Sequence, residues 1–502
     1  MRCLLGRSGA VAGWGMSSVF RVAFLVAVTG LSPSPVLAAA KKSPPTDPRI
    51  AVMEQQLRDI QKQLATLKGG TDTASRDNRA VLDDLRRGAS SQHADLKNRL
   101  DAQPKVRMDG GRLTVASADG AFSLSVRSLV QFDVGYFAQG RNPAGVDLGS
   151  GTNFRRAQFA FVGTAWRDWS YNFTYDFGGN GIEKSGYIYS AYIQYDGLKG
   201  IKFRMGAYSP PAGIDDSTGN ADLVMLERAS ASDIARNIAG APSRNAVSVI
   251  LQGDTYLAAI SYSGSKVGDT AFDEQQAVVG RAGWLAVNNA DTHLLLDANF
   301  THVFKLADIA PGANSPTAAS FSNGPELAVD TLKTVNTGNI DASSISEWGL
   351  ETAGNWGAAY GQGGYFHYSI ARRASVLPDP GFSGWYALVA WSLTGEPHRY
   401  DASVASFRAP RPDHTLGKDG VGAWELAARY SSINLDYQPL VALASGGVAG
   451  GKQDIWSMGV NWYPTDGIRF ALNYDNIKIS HINAPATDIT ADAIGLRAQI
   501  SL

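Results

Sequence analysis

AIGLRAQISL, residues 493–502, decides the fold. Ile494, Leu496, Ala498, Ile500 and Leu502 alternate there with Gly495, Arg497, Gln499 and Ser501, so one face is apolar and the other polar. A period of two belongs to a strand and not to a helix. Upstream it returns as Ile468, Phe470, Leu472 and Tyr474 around Arg469, Asn473 and Asp475, and as Trp456, Met458, Val460 and Trp462 flanking Asn461. It returns again as Trp424, Leu426, Ala428 and Tyr430 opposite Glu425 and Arg429, and it reaches back to residue 122. Repeated over that length, the pattern is that of an antiparallel transmembrane β-barrel, with lipid on one face of each strand and water on the other.

The first strands follow the same rule. Phe122, Leu124, Val126, Val130, Phe132, Val134 and Tyr136 are expected to face lipid, with Arg127, Gln131 and Asp133 inside. Ala157, Phe159, Phe161 and Ala165 lie opposite Arg156, Gln158 and Thr164, and Trp169, Tyr171, Phe173, Tyr175 and Phe177 opposite Asn172, Thr174 and Asp176. Tyr187, Tyr189, Ala191, Ile193 and Tyr195 are expected outside, as are Ile201, Phe203 and Met205, with Lys202 and Arg204 between them. Trp and Tyr at strand ends suit the headgroup level.

Connections alternate in length. They are short at 167–168, 196–200, 253–255, 288–291 and 464–467, and long near 138–153, 207–245, 305–346, 433–453 and 478–490. Short periplasmic turns and long outer loops are outer-membrane topology, and about sixteen strands fit between them, enough to leave a water-filled lumen. Thr394 to Gly420 should be periplasmic by this count yet is long, which leaves room for a missed strand pair.

The 502-residue chain has a mean hydropathy of -0.13 and 18% charged residues. Past the N-terminal segment it has no run of the ~18 apolar residues that a transmembrane helix needs. A barrel escapes hydropathy averaging because only alternate residues face lipid. At the N-terminus Arg2, Arg7 and Arg21 precede an apolar run from Val22 to Leu31, then Pro33, Pro35 and the small-residue site Val36, Leu37, Ala38. Residues 1–38 therefore read as a cleaved export signal, with Met16 as an alternative start. Cys3, the single cysteine, falls inside it, so the mature chain is expected to hold no thiol, disulfide or cysteine metal site. Loss of three arginines takes the formal charge from -1 to -4, and no basic tail points to nucleic acid.

Residues 39–49 form a linker. Over 50–103, Ile50, Met53, Leu57, Ile60, Leu64 and Leu67 fall in 3-4 spacing, Gly69 and Gly70 interrupt it, and Val81, Leu82, Leu85, Leu96 and Leu100 resume it. Mixed Ile and Leu at the seam suit three strands at least as well as two, so a periplasmic coiled coil holding a homotrimer is expected. An amphipathic helix packed on its own domain is the alternative. Residues 112–502 are the barrel.

The loop from Ala207 to Asn245, with Pro210, Pro211, Asp215, Asp216, Asp222, Glu227 and Arg228, is the candidate to fold back and narrow the lumen, the alternative being an ordinary outer loop. Inward basic residues count seven: Arg127, Arg156, Lys202, Arg204, Arg429, Arg469 and Arg497; inward acids count four: Asp133, Asp176, Glu425 and Asp475. Less regular strands add Arg281 against Asp297, Glu347 and Glu351, giving eight against seven. Selectivity then rests on where charge converges, because several arginines meeting at one point favour phosphate-like oxygens. With Arg228 of the loop, these nine basic residues are the pore-lining candidates. No H-E-x-x-H, G-x-S-x-G or phosphate-binding glycine loop occurs, so neither an enzyme, a metal site nor a cofactor is expected.

Several runs resemble the phosphate-selective porins O and P: FRRAQFAFVGTAWRDWSYNFTYD (154–176), MLERA (225–229), GWYALVAWSLTGE (384–396), GAWELAARYSSINLD (422–436) and NWYPTDGIRFALNYD (461–475). The resemblance implies a trimeric sixteen-stranded outer-membrane barrel with its third loop in the pore, long periplasmic excursions being tolerated, and in phosphate-specific members a lining of arginines with constricting lysines. Where relatives commonly read G-x-F-K-x-P, this chain has Gly206 to Pro211 with Ser209 in the lysine position, and it ends in Leu502 where barrels usually end in an aromatic residue. Two functions follow. One is a passive porin of the Gram-negative outer membrane for small hydrophilic solutes, with a preference for anions such as phosphate; the other is an envelope tether with a closed or non-selective barrel.

Overall fold

The computed structural model describes residues 48–67, 75–109, 111–141, 143, 146–178, 186–269, 272–312, 317–373 and 375–502. The expected export signal and nearly all of the linker lie outside the described residues. The chain divides into two compact units, one up to Ala94 and one from Asp95. In the first, α1 (Pro48–Leu67) begins on a proline, whose fixed φ suits a first helical position, and α2 (Ser75–Asp101) follows and runs past Ala94. Ile50, Leu57 and Val81 are exposed in the single chain.

The second unit is a closed barrel of sixteen antiparallel strands. They are β1 (Ser123–Arg141), β2 (Gly151–Ala165), β3 (Trp169–Asp176), β4 (Tyr187–Leu198), β5 (Ile201–Tyr208), β6 (Arg244–Gln252), β7 (Tyr256–Lys266) and β8 (Gln276–Asn288). Then come β9 (Thr292–Lys305), β10 (Ile340–Trp356), β11 (Ala359–Arg372), β12 (Gly381–Ser392), β13 (Ala423–Tyr437), β14 (Val448–Thr465), β15 (Ile468–Ser480) and β16 (Ile489–Ser501). Each pairs with the next, and β16 pairs with β1, which satisfies every edge without water, as a strand in hydrocarbon requires. Leu502 joins the closure, exchanging backbone bonds of 3.0 and 3.1 Å with Ser128 although it is not aromatic. A hairpin of Lys105–Asp109 and Arg112–Ala116 adds onto the start of β1.

No strand pair is missing near Thr394. The connection 393–422 is one long excursion carrying a small hairpin, Arg399–Asp401 with Ser406–Arg408, and the wall closes without it.

Side-chain phase follows strict alternation except at bulges. A bulge in β4, where Tyr189 is the extra residue opposite the Thr174–Tyr175 step of β3, flips the phase of the outer end of β4. Tyr187 and Tyr189, expected to face lipid, instead line the lumen, and the Tyr189 hydroxyl accepts a bond from Asn220 at 2.9 Å. Below the bulge Ile193 faces outward as expected and is half exposed. A second bulge sets Phe154 and Arg155 of β2 against Phe132 of β1 and turns Arg155 inward beside Arg156.

The interior is not uniformly wet. On β10 to β16 the inward residues include Ile345, Phe366, Tyr368, Phe382, Ile433, Ile455, Ile477 and Ile489, all buried in one apolar cluster. Two outer loops, 209–243 and 306–339, fold inward and cover this half of the wall. The first carries α3 (Ile214–Ser217) and α4 (Ser230–Ala239). Ala231, Ile234, Ala235 and Ile238 make one apolar face of α4 at helical spacing, and that face packs into the cluster. Glu326 of the second loop caps its N-terminus, accepting from Ser230 N at 2.6 Å and Ser230 Oγ at 2.9 Å. Buried Ile or Leu side chains contribute roughly 1.5–3 kcal/mol each, so Leu226, Ile234, Ile238 and Leu327 together hold the loops firmly.

Candidate functional site

The tip of the inward loop, a run of turns and bends over residues 218–229, lacks a ladder partner, so its carbonyls need donors from elsewhere. The wall supplies them. Gln131 donates to Asn220 O at 3.0 Å, Gln499 to Ala221 O at 3.1 Å, Arg469 to Leu223 O and to Val224 O at 2.7 Å, Arg497 to Leu226 O at 2.6 Å and Arg429 to Glu227 O at 2.7 Å. Asn461 adds a second bond to Val224 O at 3.0 Å. Arg228 clasps the loop to itself, reaching Asp215 O at 3.0 Å, Thr218 O at 2.7 Å and Asn220 Oδ1 at 3.0 Å.

From the periplasmic side the excursion 393–422 also enters the lumen. Arg281 donates to Val404 O at 2.8 Å and Ala405 O at 2.6 Å, and Asp222 at the loop tip accepts from Ala409 N at 3.1 Å. The gap left between tip and excursion, lined by Asp215, Thr218, Asp222, His398 and Phe407, is only about 20 Å³, room for about one water.

Open space lies on the other side, against β2, β4 and β6, as a cavity of about 1050 Å³. Among the described residues, seven basic side chains border it (Arg155, Arg156, Arg228, Arg236, Arg244, Lys266, Lys333) and five acidic ones (Asp176, Glu227, Asp233, Asp269, Asp330). Its inner end is a cluster around Glu227. Oε1 accepts from Arg155 Nε at 2.8 Å and Arg497 Nη2 at 2.9 Å, Oε2 accepts from Arg155 Nη2 at 3.1 Å, and Arg156 Nη2 stands 3.7 Å from Oε2. Burial pushes the Glu227 carboxyl up, but Arg155, Arg156 and Arg497 outweigh it and hold the group well below the usual carboxylate range.

The nine candidate residues therefore do not form one ring. Arg156 and Arg228 reach the cavity, and Arg497 reaches its inner end. Arg281, Arg429 and Arg469 are buried tethers: Arg281 pairs with Asp297 at 2.8 Å, Arg429 with Glu326, and Arg469 with Asn461. Lys202 stands 3.8 Å from Asp196 near a short turn, and Arg204 bonds Gln194 at 2.8 Å with its guanidinium 4.5 Å above the Tyr192 ring. Arg127 is exposed and has no acidic partner among the described residues. Alternation alone missed Arg155, Glu227, Glu326, Tyr187 and Tyr189. The Arg155–Arg156 doublet was the one local sign, since consecutive arginines in a strand cannot both face water without a bulge.

Comparison with known proteins agrees with this architecture. A profile of the family described as phosphate-selective porin O and P matches residues 124–502. Porin O of Pseudomonas aeruginosa is 26% identical over 412 residues, covering 78% of this chain and 91% of its own length. A Caulobacter vibrioides protein is 25% identical over 365 residues, 71% of this chain and 68% of its own. Among solved structures, OmpT of Vibrio cholerae superposes with a TM-score of 0.47 at 11% identity, covering 76% of this chain and 98% of its own. An anion-selective porin from Comamonas acidovorans gives 0.45 at 11% identity over 76% and 100%. With the family profile running along the whole barrel wall, the chain belongs to the phosphate-selective porin O and P family of outer-membrane channels.

Proposed function

We propose that the protein is a passive homotrimeric porin whose solute path runs through the cavity against β2, β4 and β6 and prefers small oxyanions such as phosphate. The observation that carries this reading is the imbalance of seven basic against five acidic side chains among the described residues around that cavity, with three guanidinium groups converging at its inner end. Such convergence favours anions with several oxygens, because each guanidinium offers paired donors in one plane. Of the candidate residues, Arg156 and Arg228 line the path with Arg155, while Arg127, Lys202 and Arg204 line it nearer the periplasmic mouth. Diffusion needs no turnover chemistry, only a wetted lumen and binding weak enough to release the solute.

The exposed apolar seam of α1, with Ile50 and Leu57 unpartnered in the single chain, supports a coiled coil that fastens the trimer. Residues 1–38 act as the export signal in this reading. Reversal potential in a salt gradient tests the anion preference, and a value on the cation side contradicts it. The filling of the lumen by two outer loops and one periplasmic excursion favours small conductance steps; no steps at all from folded trimers would point instead to an envelope tether.

A further inference from the structure

We propose that Asp475, Asn473 and Ser457, on the inner face of β14 and β15 beneath the loop tip, hold one monovalent metal cation of the sodium type as a resident part of the pore wall.

The three side chains are neighbours by register. Ser457 of β14 is the ladder partner of Asp475 of β15, and Asn473 is the next inward residue along β15. Each is 1% exposed. Both carboxylate oxygens of Asp475, the amide oxygen of Asn473 and the hydroxyl of Ser457 have no hydrogen-bond partner among the described residues. A buried carboxylate with neither oxygen bonded is costly, and native interiors supply such groups with a partner. The Asn473 amide gives the space its polarity: its nitrogen turns to Met225 Sδ at 3.6 Å, a weak acceptor, and leaves its oxygen to the recess.

Charge decides between a water and an ion. Arg429 and Glu326 are the charged groups that act on Asp475. Arg429 is committed elsewhere, through Nη2 to Glu326 and through Nη1 to Glu227 O at 2.7 Å, and only its Nε is unused. Glu326 is in turn filled by Ser230 N and Oγ and by Ser431 Oγ, at 2.6, 2.9 and 2.6 Å. Two carboxylates against one guanidinium leave one negative charge, which water cannot neutralise and a monovalent cation can. A divalent ion of the calcium type would reverse the sign and asks for about six to eight oxygens. No group of three or more acidic or histidine side chains fit to hold a metal occurs among the described residues. The gap of about 20 Å³ bordered by Met225 and Arg429 has room for a bare ion and not for a hydrated one. With its charge met by the ion, Asp475 does not compete for Arg429, which stays on Glu227 O and keeps the tip docked.

The test is the heat stability of the full-length protein in a non-ionic detergent, followed by circular dichroism in sodium chloride and in choline chloride of equal concentration, choline being too large for the site. The wild type melts lower in choline chloride and recovers as sodium replaces choline. In D475N the difference between the two salts is lost, because a neutral amide needs no counter-ion. In S457A and N473A, each short of one oxygen, half-recovery takes more sodium. Equal melting of the wild type in both salts, the result if a proton or a water fills the recess, overturns the site. So does a difference that D475N retains, which marks a general salt effect. Where D475N assembles poorly, wild-type crystals grown with thallous acetate serve instead: an anomalous peak beside Asp475 and Asn473 is expected, and no peak there overturns the site.

Discussion

The guanidinium of Arg497 and the carboxylate of Asp133 meet directly across the seam where the last strand joins the first, through two parallel bonds of 2.7 Å, both side chains shut off from solvent. The two residues lie 364 positions apart in the chain, and their bond fastens the closed barrel across the seam between its first and last strands. Removing one partner of a buried pair leaves an uncompensated charge, at a cost of about 3–5 kcal/mol. Asp133→Asn should therefore lower the temperature at which the folded band converts to the unfolded one on detergent gels. Arg497→Gln should lower it further, because Arg497 also holds Leu226 O and Glu227. Wild-type melting in both variants would show that the seam is held by its backbone ladder alone.

A second prediction concerns two glycines on the same seam. Gly135 and Gly495 are ladder partners, and together they leave a dent in the inner wall where the loops seat. A Cβ at Gly495 would stand 2.6 Å from Leu226 and 2.7 Å from Leu327, and one at Gly135 would stand 2.5 Å from Val329. Gly495→Leu should push both loop tips off the wall, at a cost typical of overpacking of about 1–3 kcal/mol, and leave the strand pairing intact. Single-channel recording should then show larger and noisier conductance than the wild type. A quiet, unchanged channel would mean that the tips do not set the constriction.

Much of the wall was legible because lipid and lumen impose a strict period of two, and β13 to β16 obey it with the outward residues read from sequence exposed, Trp456, Met458, Phe470, Leu472, Ile494 and Leu496 among them. Tyr187 and Tyr189 face inward because one inserted residue at a bulge reverses the side chains on its outer side while Ile193 and Tyr195 keep their phase, and nothing in YIYSAYIQY marks it. Arg469 is buried inside the wall, and its role is hidden from the sequence: the carbonyl of Val224 that it holds lies 245 residues away. The apolar inward residues Ile455, Ile477 and Ile489 contradict a uniformly polar lumen because two loops cover them, a fact of tertiary packing that a strand read alone does not carry.

Thiol accessibility can check the phase reversal directly. Cys3 is the chain's single cysteine, so a Cys3→Ser background gives clean single-cysteine variants. Tyr189→Cys should react with a membrane-impermeant thiol reagent through the lumen, whereas Ile193→Cys, four residues on, should react only with a lipid-soluble one. The opposite pattern would restore strict alternation along β4.

The charge cluster at the loop tip carries a pH signature. A carboxyl whose folded pKa is depressed contributes its full stabilisation above its unfolded pKa and loses it as pH falls through the folded value. Glu227 sits well below its ordinary value of 4.5, since the three arginines outweigh the opposing effect of burial. The stability difference between wild type and Glu227→Gln should thus stay constant from neutrality to about pH 5 and shrink only in stronger acid. A difference that fades above pH 5 would mean that the arginines do not grip the carboxylate as the distances indicate.

Arg281 separates an ion pair from a tether. Its Nε meets Asp297 at 2.8 Å, while its two Nη groups reach Ser217 Oγ at 2.7 Å, Val404 O at 2.8 Å and Ala405 O at 2.6 Å, so one side chain joins the wall, the inward loop and the periplasmic excursion. Arg281→Gln strips the tether and also strands Asp297 in a dry interior, a loss of about 3–5 kcal/mol. Arg281→Gln combined with Asp297→Asn should recover most of that stability, since no buried charge is left alone, yet it cannot restore the bonds to Val404 and Ala405. The double variant should therefore melt near the wild type while its excursion becomes cleavable by protease added from the periplasmic face and its current flickers. If melting and gating recover together, the excursion is held by its own packing, Phe407 and Ala405 being buried, and the two bonds it receives from Arg281 are incidental to it.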